Sequence, residues 1–157
     1  FCAVWDDLVC FPVKCRVSYE DSWMEERTYG GKRGHEGTDL MPPTNQRGFY
    51  PVFSATAGTV EHMGWLQKGG WRIGIRSKQG GYFYYAHLSE YAPGMEEGKT
   101  VEAGEMLGYM GDSGYGEEGT VGQFAVHLHF GIYIQTADGQ EVSVDPYWIL
   151  KGLEGEP

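Results

Sequence analysis

The chain has 157 residues, enough for one ordinary domain, and its 22 Asp and Glu outnumber 12 Lys and Arg to give a formal net charge of −10. A content of 41% hydrophobic and 15% aromatic residues argues against disorder, and the 25 glycines, more than twice the usual ~7%, follow no collagen-like period of three. No apolar run approaches the ~18–20 residues of a membrane-spanning helix, and the acidic balance excludes a nucleic-acid binder, which needs a basic face.

High glycine and aromatic content predicts short strands and many turns. Residues 1–9 read as a short helix or an arm. Phe11 to Tyr19 alternates as a strand does. Residues 1–18 are thus an N-terminal arm or strand, and 19–157 one globular domain. Residues 20–48, rich in glycine, charge and proline, read as a long irregular segment, a length usually reserved for function. Pro51 to Val60 reads as a strand bent near Ala57-Gly58. Trp71 to Arg76 has the period of a half-buried strand, Ser77 to Gly81 is turn chemistry, and Tyr82 to Leu88 is the return strand. Val101 to Leu107 reads as a tight hairpin around Ala103-Gly104. Five glycines between Gly111 and Gly122 mark a long surface loop. Phe124 to Ile134 is the clearest strand. Asp145-Pro146 then reads as an N-cap and first-turn proline opening a short helix through Leu150.

The three cysteines, Cys2, Cys10 and Cys15, include no CxxC pair, so a zinc ribbon fails on spacing. One local bridge, Cys10–Cys15, and free thiols are both open. The first residues lack the basic and apolar regions of a signal peptide. If the protein is exported, its signal or anchor has been removed from this chain.

In Phe124-Ala125-Val126-His127-Leu128-His129-Phe130-Gly131-Ile132, two faces separate. Phe124, Val126, Leu128, Phe130 and Ile132 form a core face. Ala125, His127, His129, Gly131 and Tyr133 form the other, with the two imidazoles about 6.6 Å apart. Small neighbours leave room there for an ion or a substrate, the alternative being two histidines on a solvated face. In Gly34-His35-Glu36-Gly37-Thr38-Asp39, an imidazole and a carboxylate stand four apart. Glycines and nearby Pro42-Pro43 oppose a helix. In a straight strand the two would lie about 13 Å apart, too far to share one ion. Joint ligation therefore requires a bend, which Gly37 permits; the alternative is a surface turn. The helix of a His-Glu-x-x-His motif is missing, so Glu36 is not that motif's general base.

Gly34-His35-Glu36-Gly37-Thr38-Asp39, Tyr85-Ala86-His87-Leu88-Ser89 and His127-Leu128-His129-Phe130, in that order, together resemble the lysostaphin-type zinc endopeptidases of peptidase family M23. The resemblance covers roughly residues 27–150. It implies a mainly β fold, an antiparallel β-sheet or sandwich with long loops around a groove and a short C-terminal helix. It implies His35, Asp39 and His129 as zinc ligands, with His87 and His127 as catalytic histidines. Tyr29 matches a tyrosine that helps stabilise the developing oxyanion in some members. Segments 19–23, 27–33 and 111–116 are similar to the sporulation-associated L-alanyl-D-glutamate endopeptidases of Gram-positive bacteria.

The implied function is a zinc endopeptidase acting outside the cytoplasm on peptidoglycan stem peptides, with L-Ala–D-Glu favoured over a cross-link bond. A His2Asp set leaves the fourth zinc position open, as a catalytic site requires. Lys32 and Arg33 are candidates to meet a substrate carboxylate, or else a solvated charge pair. His62 has no partner spacing and reads as a surface residue. Tyr82, Tyr84 and Tyr85 read as strand packing. A non-catalytic wall-binding member of the same fold is the alternative; such members usually lose a ligand, and none is lost here. A biotinyl-type carrier needs a lysine at the hairpin tip, where this chain has Ala103-Gly104.

Overall fold

A computed structural model describes residues 7, 9–21, 23, 26–27, 33–34 and 36–154, with the backbone alone at 26, 27, 33, 34 and 154. Strands β1 (Glu26–Arg27) and β2 (Arg33–Gly34) pair as a small antiparallel ribbon. The main sheet contains β3 (Thr38–Leu40), β4 (Pro51–Phe53), β5 (Gly58–Leu66), β6 (Gly70–Ser77), β7 (Tyr82–Tyr91), β8 (Thr100–Val101), β9 (Met106–Met110), β10 (Leu128–Gln135) and β11 (Glu141–Val144). Its path runs β11-β10-β7-β6-β5-β8, with β3 on β10 and β9 joining β4 to β7, and every pairing antiparallel. The mainly β architecture implied by the resemblance is the one found.

Alternation in β7 and β10 builds the core. Phe83, Tyr85, Leu128, Phe130 and Ile132 are fully buried. Phe130 stacks on Phe83 with centroids 6.5 Å apart and meets Tyr85 edge-on at 5.2 Å. The Tyr85 hydroxyl accepts the Ala55 N–H at 2.9 Å, so its polar end is satisfied. Phe130→Ala would leave a cavity among these rings and is expected to cost about 3–5 kcal/mol, read from the urea midpoint. A shift under about 1 kcal/mol would contradict this packing account.

Asp145 and Pro146 open helix α1 (Tyr147–Glu154) as expected. The Asp145 Oδ1 accepts the Tyr147 N–H at 3.0 Å. The helix runs four residues past Leu150, the buried residue that docks it on the sheet. Among the described residues no helix is long and apolar enough to cross a membrane.

Two expectations need correction, and the open question of the cysteines is answered. Phe11 to Tyr19 is not a strand. Its odd-numbered residues do pack toward the core, but its ladder is the single bridge Ser18–Met41. Pro12 has no N–H to donate, and its carbonyl instead accepts the Phe53 N–H at 2.7 Å. Val101 to Leu107 does turn, with Glu105 N–H on Glu102 O at 3.1 Å, yet it is no hairpin. β8 pairs with β5 and β9 with β4 and β7, so the turn switches partners. Cys10 and Cys15 are both free: Cys15 packs against the core, and Cys10 sits beside Gly104.

Candidate active site and metal centre

The register of β3 on β10 sets Asp39 directly opposite His129. Cross-strand neighbours of this kind have Cβ atoms about 4.5–5.5 Å apart. Here His129 Nδ1 lies 3.1 Å from Asp39 Oδ1, and His127 Nε2 lies 3.6 Å from the same oxygen. On the other flank of β10, His129 faces Ala86 of β7, whose methyl leaves the imidazole room.

His87 reaches this cluster through an irregularity. Strict alternation along β7 would send it inward with Phe83 and Tyr85. Between the pairs Ile73–Tyr85 and Trp71–Leu88, however, β7 carries one more residue than β6. This is a bulge, and His87 sits in it with a left-handed backbone, φ 64°. Ala86 and His87 consequently both line the groove. The His87 ring lies 4.9 Å from that of His127 and 6.0 Å from that of His129.

Hydrogen bonds fix the tautomers. His87 Nδ1 is 2.8 Å from Ser113 O, and His127 Nδ1 is 2.9 Å from Ala125 O. A carbonyl only accepts, so each Nδ1 carries its proton and each Nε2 is left with a lone pair. Burial, followed by the neighbouring His127 and His129, holds the His87 pKa well below the ordinary histidine value. Below about pH 6.5 the unfolded chain then takes up a proton that the folded chain refuses. Stability is therefore expected to fall as pH drops through and below that point. A urea midpoint that stays constant from pH 7.5 to 5 would contradict this.

His129 Nε2 lies 3.1 Å from Glu36 O. A ring that donates from Nε2 to this carbonyl would turn its Nδ1 lone pair toward the Asp39 carboxylate. A cation between them would satisfy both acceptors of that tautomer. Two donors sharing a tetrahedral zinc at ~2.0–2.1 Å stand about 3.3 Å apart, close to the spacing found. The residues present therefore fit a zinc ion. Among the described residues no three His, Cys, Asp or Glu side chains group as a complete metal set. The third expected ligand, His35, lies outside the described residues, as do Tyr29 and Lys32 and the side chain of Arg33.

The cluster lies in an open groove of about 900 Å³. Tyr82, Tyr84 and Tyr133 line one side of it, together with Glu36, whose Oε1 accepts the Tyr133 hydroxyl at 3.1 Å. Tyr82 and Tyr84, read from sequence as packing, are therefore groove residues, whereas Tyr85 is core. His62 is half-exposed and meets the Tyr82 hydroxyl through Nδ1 at 3.1 Å. The loop after β9 supplies Tyr115 and Phe124. Phe124 leaves the core face assigned to it by alternation, because β10 begins only at Leu128. Two polar residues that no motif marked hold the approach to β10. Asn45 Oδ1 accepts the Val126 N–H at 2.7 Å, and Arg47 forks onto Asp112 at 2.6 and 3.1 Å. Their signal in sequence, a polar pair after Pro42-Pro43, is too common to single out.

The model of peptidase family M23 matches residues 33–146. An L-Ala--D-Glu endopeptidase of Bacillus subtilis is 43% identical over 143 residues, 91% of this chain and 42% of that protein. A Ruminococcus gnavus structure named as a lytM-type glycyl-glycine endopeptidase has 57% identity and a TM-score of 0.88, covering 97% of this chain and 62% of that one. The lysostaphin catalytic domain of Staphylococcus simulans has 27% identity and a TM-score of 0.64, covering 86% and 92%. The chain thus spans less than two thirds of the first two relatives. With the family match running through Asp39, His87, His127 and His129, the chain belongs to peptidase family M23.

Proposed function

We propose that this chain is a zinc-dependent endopeptidase that hydrolyses a peptide bond of the bacterial peptidoglycan stem, with L-Ala–D-Glu the favoured bond and a cross-link D,D-bond second. The observation that carries the reading is the His129 Nδ1–Asp39 Oδ1 pair beside two imidazoles with unprotonated Nε2 atoms. The 43% identity to a protein named an L-Ala--D-Glu endopeptidase supports the bond.

His35, Asp39 and His129 would hold the metal. Zinc, when bound there, supplies a Lewis acid for the scissile carbonyl and lowers the pKa of water. Between them, His87 and His127 take the proton of the attacking water and return one to the leaving amine. Their neutral Nδ1–H tautomers suit the first task, since Nε2 is the free base in each. Tyr29 would steady the oxyanion, and Lys32 and Arg33 would meet a substrate carboxylate. Such a substrate lies outside the cytoplasm, so the enzyme works there, in the cell wall or at a membrane surface. Cleavage of L-Ala–D-Glu gives an L-Ala carboxylate and a free D-Glu amine.

The test is digestion of purified muropeptides before and after chelation, with zinc added back. Loss on chelation and recovery with zinc supports the reading, and product masses name the bond. Zinc binding without any cleavage would favour the non-catalytic wall-binding alternative.

A further inference from the structure

Among the described residues, two that are not glycine hold a left-handed backbone, His87 at φ 64° and Tyr115 at φ 58°. Their rings meet edge-on at 6.0 Å. Phe124 completes the contact. Its centroid lies 5.1 Å from Tyr115, 4.6 Å from His87 and 5.0 Å from His127. One phenyl ring thus packs against both imidazoles to which the peptidase reading gives the protons.

Each imidazole is pinned by a carbonyl at Nδ1, Ser113 O for His87 and Ala125 O for His127. One hydrogen bond fixes a point on a ring and leaves its plane free to tilt. Phe124 packs against both rings and so restricts their tilt. Tyr115 packs edge-on against Phe124 and touches His87 itself. Its loop is tied to the β5–β6 hairpin. Trp65 Nε1–H donates to Gly116 O at 3.2 Å, and Gly116 N–H donates to Gln67 O at 3.0 Å. Strained backbone persists only where its surroundings over-determine it, and here both strained residues belong to one contact.

We propose that Phe124 and Tyr115 are positioning residues, whose rings hold His87 and His127 in one fixed orientation for proton transfer. The proposal rests on the peptidase reading above. A ring serving only the core would lie with Val126 and Leu128, which are buried; Phe124 is half-buried and lines the groove.

Phe124→Leu keeps apolar bulk and loses the ring; Phe124→Tyr keeps the ring. Both are compared with wild type on purified stem-peptide muropeptides, with His87→Ala and His127→Ala alongside. Misplacement of catalytic groups by an ångström can cost about 10²-fold, so Phe124→Leu is expected to lower kcat by about 10- to 100-fold. KM should move by no more than about threefold, bound zinc should stay at the wild-type level, and Phe124→Tyr should recover most of kcat. The proposal is overturned if kcat is unchanged, if KM rises while kcat holds, or if the loss tracks lost zinc or lost folded protein. Wild-type turnover in both histidine variants would overturn the roles of the histidines, and with them this one. Absence of any cleavage by wild type would overturn the peptidase reading first.

Discussion

Asp39→Ala is expected to remove bound zinc and hydrolysis together, whereas His127→Ala keeps the zinc and loses turnover. The difference follows from where the two side chains stand. Asp39 Oδ1 lies 3.1 Å from His129 Nδ1, so its loss takes away one of the three proposed ligands and the carboxylate charge among them. Activity should fall by at least about 10³-fold, with zinc content falling in parallel. His127 sits 3.6 Å from Asp39 with its Nδ1 proton toward Ala125 O, which leaves Nε2 able to take a proton, and the resemblance to the family implies that role for it in place of ligation. Removing a general acid–base group typically costs about 10²–10⁴-fold in kcat. Metal analysis and muropeptide turnover on the same preparations decide the matter. Zinc retained at the wild-type level in Asp39→Ala, or lost in His127→Ala, would contradict the assignment.

Gly37→Ala is expected to damage the site without touching a ligand. Gly37 sits at φ 153°, and a Cβ there would lie 2.6 Å from Phe130 O and 2.8 Å from His129 Nε2. Neither neighbour can yield cheaply, because Phe130 is locked in the core and His129 is held between Asp39 and the Glu36 carbonyl. The segment before β3 must then back away, which opens the Asp39–His129 contact. Loss of about 10- to 100-fold in zinc affinity, the usual scale for disturbing the support of a ligand, is expected by chelator competition. Gly152→Ala is the control: it lies in α1, a Cβ there meets nothing within 4 Å, and stability should rise by about 0.5–1 kcal/mol. Wild-type zinc affinity in Gly37→Ala would show that the close approach does not shape the site.

Local chemistry made much of this legible in sequence. Alternation placed Leu128, Phe130 and Ile132 in the core and His127 and His129 away from it. Joint ligation by His35 and Asp39 requires a bend that Gly37 permits, and the backbone bends at Gly37. Asp145-Pro146 opened the helix. The misses share one cause, since strand partners are chosen by tertiary contacts. Alternation in Phe11 to Tyr19 correctly marks which residues face inward, yet among the described residues no neighbouring strand takes up the ladder. The Val101–Leu107 turn is real, but its arms pair elsewhere. His87 reaches the groove through a bulge and Phe124 through a late start to β10, and neither leaves a periodic trace.

The most direct measurement is mass spectrometry of purified peptidoglycan digested by the wild-type chain and by His129→Ala. The account predicts new products from wild type alone, with masses that correspond to one cut stem-peptide bond and fit cleavage between L-Ala and D-Glu. Identical digests from the two proteins would contradict it.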